Sequence, residues 1–147
     1  MELFARITAA RIRLQIDVGF GDAVTPSPVR VGLPVLLDFP GPQLLVYPRE
    51  TVVAEKLDAI VQLGMANSRM KDFYDLFVLA SMFEFDGTLL VRAIRSTFER
   101  RKTQLPAELP TGLTRAFAAD PNKAIQWMAF VRKSGASGVL DLEAKFG

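Results

Sequence analysis

The chain has 147 residues, half of them hydrophobic and eleven of them Phe, which is enough for one compact domain with a real core and argues against disorder. It contains no Cys and no His, which removes disulfides, thiolate nucleophiles, Cys or His metal sites, Ser-His-Asp triads and imidazole acid–base chemistry. Eighteen Lys plus Arg against sixteen Asp plus Glu leave a net charge of +2, so overall charge names no partner, and any chemistry rests on carboxylates, Lys, Arg, hydroxyls or a bound metal.

Residues 2–9 and 11–20 are read as two strands joined by a tight turn. In the second, Ile12, Leu14, Ile16, Val18 and Phe20 alternate with Arg11, Arg13, Gln15 and Asp17, the period of a strand with one face on a core. Asp17 falls on the polar face. It is either a solvent-facing carboxylate or a functional one, and the poor fit of Asp inside strands leans slightly to the second. A stretch with Pro26, Pro28 and Pro34 reads as loop, and residues 44–47 as a short third strand between Pro42 and Pro48.

From Glu50 the pattern turns helical. A helix over 50–63 stops at Gly64, a natural C-cap. On its wheel Val53, Leu57, Ile60, Val61 and Leu63 fill one arc that includes Lys56, while Glu55 and Asp58 fall outside it. Lys56 either snorkels along the core or turns its ammonium into a cleft suited to phosphate. Asn67 or Ser68 can cap a second helix over 69–83, apolar almost all round and therefore expected to be buried. Its polar wedge is Lys71, Asp72 and Asp75. Early-turn carboxylates on the helix dipole and an i,i+4 ion pair explain it, and so does the wall of a site.

A third helix over 86–102 carries Arg92 and Arg95, then Arg100, Arg101 and Lys102, read as a solvated face or an RNA-facing patch. Pro106 and Pro110 break the chain, Asp120-Pro121 opens a last helix through Trp127 to Lys133, and Ser134-Gly135-Ala136-Ser137-Gly138 reads as loop. Strands before helices give an α+β layout, with a sheet part over 1–48 and a helical region over 49–147 forming one unit. A hairpin this short cannot stand alone as a sheet and is expected to be the remainder of something larger. Apolar runs are too short to span a membrane, and charges at Glu2, Arg6, Arg11 and Arg13 interrupt any leader, so a cytoplasmic protein is expected.

Three blocks carry a resemblance: Leu14-Gln15-Ile16-Asp17-Val18-Gly19-Phe20-Gly21-Asp22; Tyr47-Pro48-Arg49-Glu50-Thr51 with Ala54-Glu55-Lys56-Leu57; and Asn67-Ser68-Arg69-Met70-Lys71-Asp72-Phe73-Tyr74-Asp75-Leu76. In order and spacing they resemble the nucleotidyltransferases of the AbiEii/AbiGii type IV toxin–antitoxin family, with Thr97-Phe98-Glu99-Arg100-Arg101 fitting too. The resemblance implies a DNA polymerase β-like sheet followed by helices, transfer of a nucleoside monophosphate from an NTP to an acceptor such as tRNA, Mg2+ held by carboxylates, and an antitoxin partner. It implies that Asp17 is a metal ligand or takes the acceptor proton. Lys56 would contact phosphates, with Lys71 beside it on the nucleotide, and Asp72 and Asp75 would be acidic site positions.

The family's leading motif, a Gly-Ser turn followed by an Asp-x-Asp pair, is absent from these residues. Two-metal transfer needs several carboxylates around the ions, so the chain is expected to be inactive alone and to act as a homo-oligomer or with a complementing chain. The alternative is a non-catalytic binding or dimerisation module that contacts an antitoxin or RNA.

Overall fold

The computed structural model describes residues 1–135. The chain runs β1 (Glu2–Ile7), β2 (Ala10–Gln15), β3 (Val29–Gly32), β4 (Gln43–Val46), α1 (Arg49–Leu63), α2 (Met70–Met82), α3 (Gly87–Arg101), α4 (Arg115–Ala118) and α5 (Pro121–Ser134). This mixture of helices and small sheets is compatible with the expected α+β class. Of the loop read over residues 134–138, positions 136–138 lie outside the described residues, as does the end of the 49–147 region.

The single three-stranded sheet expected from the pattern is instead two separate antiparallel hairpins, β1 with β2 and β3 with β4. β3 was hidden among prolines. Pro28 and Pro34 bracket Val29-Arg30-Val31-Gly32 without interrupting it, so its amides stay free to pair with β4. The first ladder closes where Met1 and Ile16 exchange hydrogen bonds, the Met1 ammonium donating to Ile16 O at 2.8 Å and Ile16 N to Met1 O at 2.9 Å. Past that pair Asp17 has no strand opposite it among the described residues, and β2 ends at Gln15 and not near residue 20.

The apolar face of this hairpin does not rest on a core. Leu3, Ile12 and Leu14 are 41%, 43% and 45% exposed, and Phe20 is 91% exposed. Its alternation reflects the hairpin's own two faces, neither of them covered among the described residues.

The helices follow their end signals closely. α1 stops at Gly64, whose positive φ of 48° suits glycine. Asp86 caps α3 by accepting from Leu89 N, and Asp120 caps α5 by accepting from Asn122 N and Lys123 N, with Pro121 in the first turn. The start of α2 differs from expectation. Arg69 occupies the cap position with no side-chain bond, while Asn67 is fully buried, its Oδ1 accepting from Arg69 N and its carbonyl from the buried Lys123 ammonium at 2.9 Å.

The core is helical. Ile60 of α1, Met70 and Phe73 of α2, Phe117 and Ala118 of α4 and Trp127 of α5 form one buried cluster, with the Phe73 and Phe117 rings stacked at 5.1 Å. Gly112 lets the chain before α4 close on α1, since a Cβ there would lie 2.7 Å from Ile60 Cγ2. α2 is only partly covered. Met70 and Phe73 are buried, while Met82 at its far end is 68% exposed, so it is not the fully buried helix its composition suggested.

Candidate functional site

α1, the start of α2 and the end of α3 enclose a groove of about 290 Å³ lined by Val52, Glu55, Lys56, Ala59, Arg69, Asp72 and Arg101. The charged lining is three cations against two carboxylates. Such a volume lies just under the usual range of small-molecule sites (~300–1,000 Å³).

Lys56 sits at one wall of the groove. Its Nζ lies 2.8 Å from Asp72 Oδ1 and 2.6 Å from Asp75 Oδ2, with side chains only 16–22% exposed. Lys71 Nζ reaches the same Asp75 oxygen at 2.5 Å, and Arg69 Nε lies 3.7 Å from Asp72 Oδ2. Burial pulls the Lys56 pKa down, but the hydrogen bonds to Asp72 and Asp75 and their charges outweigh it, and the pKa is raised. Burial pushes the Asp75 carboxyl up, yet bonds from Lys56 and Lys71 win and lower it. Lys56 and Asp75 are therefore both charged near neutrality. An ammonium has three N–H groups, so two fixed by carboxylates leave one for a ligand in the groove.

Arg101 forms the opposite wall. Its guanidinium lies 3.3 Å from Asp58 Oδ2, 3.8 Å from Glu55 Oε1 and 3.9 Å from Asp22 Oδ1. Asp58 is fully buried, also accepting from Gln62 Nε2, and its Oδ1 has no partner. It belongs to the face Thr51, Ala54 and Asp58 that meets α3, so the wheel reading that set Asp58 outside the buried arc is corrected: α1 packs on two sides, not one. Burial and then the neighbouring Asp22 raise the Glu55 pKa. The Tyr47 hydroxyl donates to Asp22 Oδ2, and that bond raises its own pKa.

The loop after β2 is held to this wall. Arg100 Nε donates to Gly21 O at 2.6 Å. Further along, Thr25 N donates to Thr51 Oγ1, which donates back to Thr25 O, while Thr25 Oγ1 donates to Ser96 Oγ. Residues 21–25 thus bridge α1 and α3.

A family model described as Nucleotidyl transferase AbiEii toxin, Type IV TA system, matches residues 2–145. The chain belongs to this family. No curated protein and no solved structure matches it.

Of the positions that the AbiEii resemblance singled out, the structure brings Lys56, Lys71, Asp72 and Asp75 into one ion-pair network. Asp17 stands apart from it. It is exposed beyond the end of β2 and accepts from Gln15 Nε2 at 3.0 Å. Among the described residues no group of three or more His, Cys, Asp or Glu side chains is placed to hold a metal. The donor set also misfits magnesium chemically, because of the two groove carboxylates Asp72 is held by the Lys56 ammonium and Glu55 lies beside the Arg101 guanidinium, and Mg2+ wants an oxygen shell. Two groove residues, Glu55 and Arg69, have no assigned role in the sequence pattern, and a third, Arg101, is expected there only on a solvated face or an RNA-facing patch. Arg101 was visible only as part of the basic run at the end of α3, and Glu55 only as a polar position on α1. The facing of these two helices joins them.

Proposed function

We propose that this chain provides the phosphate-binding part of a nucleotidyltransferase toxin that moves a nucleoside monophosphate from an NTP to an acceptor such as tRNA. The observation that carries this reading is the Lys56 ammonium, fixed by Asp72 and Asp75 beside Arg69 and Arg101 in one groove. Guanidinium groups match phosphate oxygens in pairs, and a positioned ammonium adds a point charge. Both suit a polyphosphate that must be held still while it reacts.

The chain is inactive alone in this reading. These residues contain no Gly-Ser turn and no Asp-x-Asp pair, and Asp17 is the one carboxylate they offer as the resemblance's metal ligand. Magnesium therefore belongs to the complemented site, not to this chain's residues. The uncovered sheet surface is where a complementing chain, a second copy or a cognate antitoxin would dock, in the cytoplasm. A non-catalytic module contacting antitoxin or RNA is the second reading, favoured by the same lack of a carboxylate set.

Titrating the purified chain with ATP, GTP, CTP and UTP by calorimetry tests the groove. Binding that is lost in Lys56→Met and Arg101→Leu supports the assignment, and equal binding by wild type and both variants removes it. Incubation with labelled NTP, magnesium and total tRNA then separates the readings. Labelled RNA formed only after adding a polypeptide with the Gly-Ser and Asp-x-Asp motif supports the enzyme part, and no label under either condition favours the binding module.

A further inference from the structure

The β1–β2 hairpin has two open edges, and they differ in charge. Its register pairs Glu2 with Gln15, Leu3 with Leu14, Phe4 with Arg13, Ala5 with Ile12 and Arg6 with Arg11. Because Met1 and Ile16 exchange both of their hydrogen bonds, alternation along an antiparallel ladder makes Leu3–Leu14 and Ala5–Ile12 the bonded pairs. The backbone groups of Glu2, Phe4 and Arg6 therefore point outward from β1, and those of Arg11, Arg13 and Gln15 outward from β2. Among the described residues no third strand meets either edge.

We propose that β1 is a homodimer edge, pairing antiparallel with β1 of a second copy about a twofold axis at Phe4. In that register the partner copy's Arg6 lies opposite Glu2, its Glu2 opposite Arg6, and the two Phe4 face each other. All three outward-pointing residues meet outward-pointing residues, so every pair exchanges two backbone hydrogen bonds. The charges agree as well. Among the described residues Arg6 is in no ion pair, and the residue across from it in the hairpin is Arg11, whose guanidinium lies 3.8 Å over the Phe4 ring. Glu2 is the acid on this edge, held by Arg13. A second copy supplies the carboxylate that Arg6 lacks.

The other edge does not work this way. The corresponding twofold pairing of β2 sets Arg13 opposite Arg13, and like charges directly opposite are destabilising. Pairing through β1 gives four strands in place of two, the size at which a sheet with one apolar face holds together in water, whereas an isolated hairpin is marginal. It also sets Leu3 beside the partner copy's Ala5, so that apolar side chains shield one another along the join. This deepens the reading that the uncovered sheet takes a partner, and it stands independently of any nucleotide transfer.

Sedimentation velocity of the full chain over a range of concentrations tests the pairing. The wild type is expected to dimerise. Arg6→Glu, with two acids on the edge, and Glu2→Arg, with two cations, should each dimerise at least about tenfold more weakly, since two cross-strand pairs turn repulsive. Mixed in equal amounts, the two variants should form a dimer with one copy of each, because both cross pairs become attractive again. Oxidation of Phe4→Cys in this Cys-free chain gives a second readout that needs no charge change: a disulfide-linked dimer is expected, and none from Arg11→Cys on the other edge. A monomeric wild type, variants that dimerise as tightly as the wild type, or a mixture that stays monomeric would each overturn the proposal. A dimer indifferent to both charge variants would put the contact elsewhere, such as the exposed Leu36, Leu37 and Phe39, and overturn it equally. Nucleotide titrations on the same samples keep the outcomes apart: a monomer that binds NTP refutes only the pairing, and a dimer that does not refutes only the groove.

Discussion

Lys56 on α1 and Asp75 on α2 meet at 2.6 Å, and Lys71 reaches the same Asp75 oxygen at 2.5 Å. One carboxylate thus fastens two cations from different helices, and the Lys56 end of the network opens into the groove. The contact ties the helix pairing of α1 with α2 to the position of the proposed phosphate-binding ammonium.

Lys56→Met is expected to destabilise the fold. It leaves Asp72 and Asp75 close together with only the exposed Lys71 and Arg69 to balance them, at a cost of about 2 kcal/mol for a partly buried network. If Lys56 merely laid its stem along the core, methionine would preserve that packing and cost little. Urea unfolding followed by the fluorescence of the single Trp, Trp127 in the core, decides between them. An unchanged midpoint would favour the snorkelling account.

The same network sets a pH window. Asp75 has a folded pKa below its ordinary 3.8, so its stabilisation is present above that value and is lost as pH falls through the folded one. Lys56 has a folded pKa above 10.5, so its stabilisation is present below 10.5 and is lost as pH rises through the folded one. Glu55 is raised above 4.5 by burial, so ionising it costs stability once pH exceeds its folded value. Thermal unfolding should therefore show Asp75→Asn losing stability at neutral pH, with the deficit shrinking as pH falls below 3.8 and through the folded value. Glu55→Gln should raise the melting temperature at pH 7 and leave it nearly unchanged at pH 4. A Glu55→Gln variant less stable than wild type at pH 7 would contradict the burial argument.

Gly21→Ala should loosen the loop from α3. Gly21 has a φ of 80°, and an added Cβ would run into the Arg100 guanidinium that donates to its carbonyl. The left-handed backbone alone costs about 1 kcal/mol for alanine, and the lost Arg100 contact adds to it. Amide exchange is expected to speed up in residues 21–25, with α5 unaffected. Equal exchange there in the variant and the wild type would show that the loop is held by Thr25 alone.

The helical half of this chain was legible because its signals are local. Asp86, Asp120-Pro121 and Gly64 each mark a helix end through their own backbone chemistry, and the structure uses all three. The Lys71, Asp72 and Asp75 wedge was legible for the same reason, since i,i+3 and i,i+4 spacing puts them on one face. What stayed hidden depends on packing between distant segments. The period-2 pattern over β2 shows that a strand has two faces, but it does not say whether anything covers the apolar one. Nor does the wheel of α1 show that a second helix will bury Asp58, because that requires α3 to lie on the polar-looking side. Asp17 fits the strand motif of the family, yet the ladder that would hold it ends one residue earlier, at Ile16.

The buried Asp58 and the half-exposed Arg101 should behave as a coupled pair. Asp58 is 0% exposed, with Oδ2 accepting from Gln62 and Arg101 and Oδ1 accepting from nothing. Arg101→Leu removes the cation and leaves a buried carboxylate with one amide donor, a change that costs about 3 kcal/mol when a buried pair is broken from one side. Asp58→Asn keeps the size and one acceptor but removes the charge that Arg101 answers, and Arg101 still has Glu55 and Asp22 nearby, so its cost should be smaller, about 1 kcal/mol. In the double variant the buried charge is gone when the arginine is gone, so its total cost should fall short of the two singles added together by 1 kcal/mol or more, as is usual for residues in direct contact (~0.5–3 kcal/mol). Urea unfolding of all four proteins at one pH measures the cycle. Strict additivity would mean that Asp58 is held by Gln62 and its burial alone, and that Arg101 is free to serve the groove without bracing the α1–α3 contact.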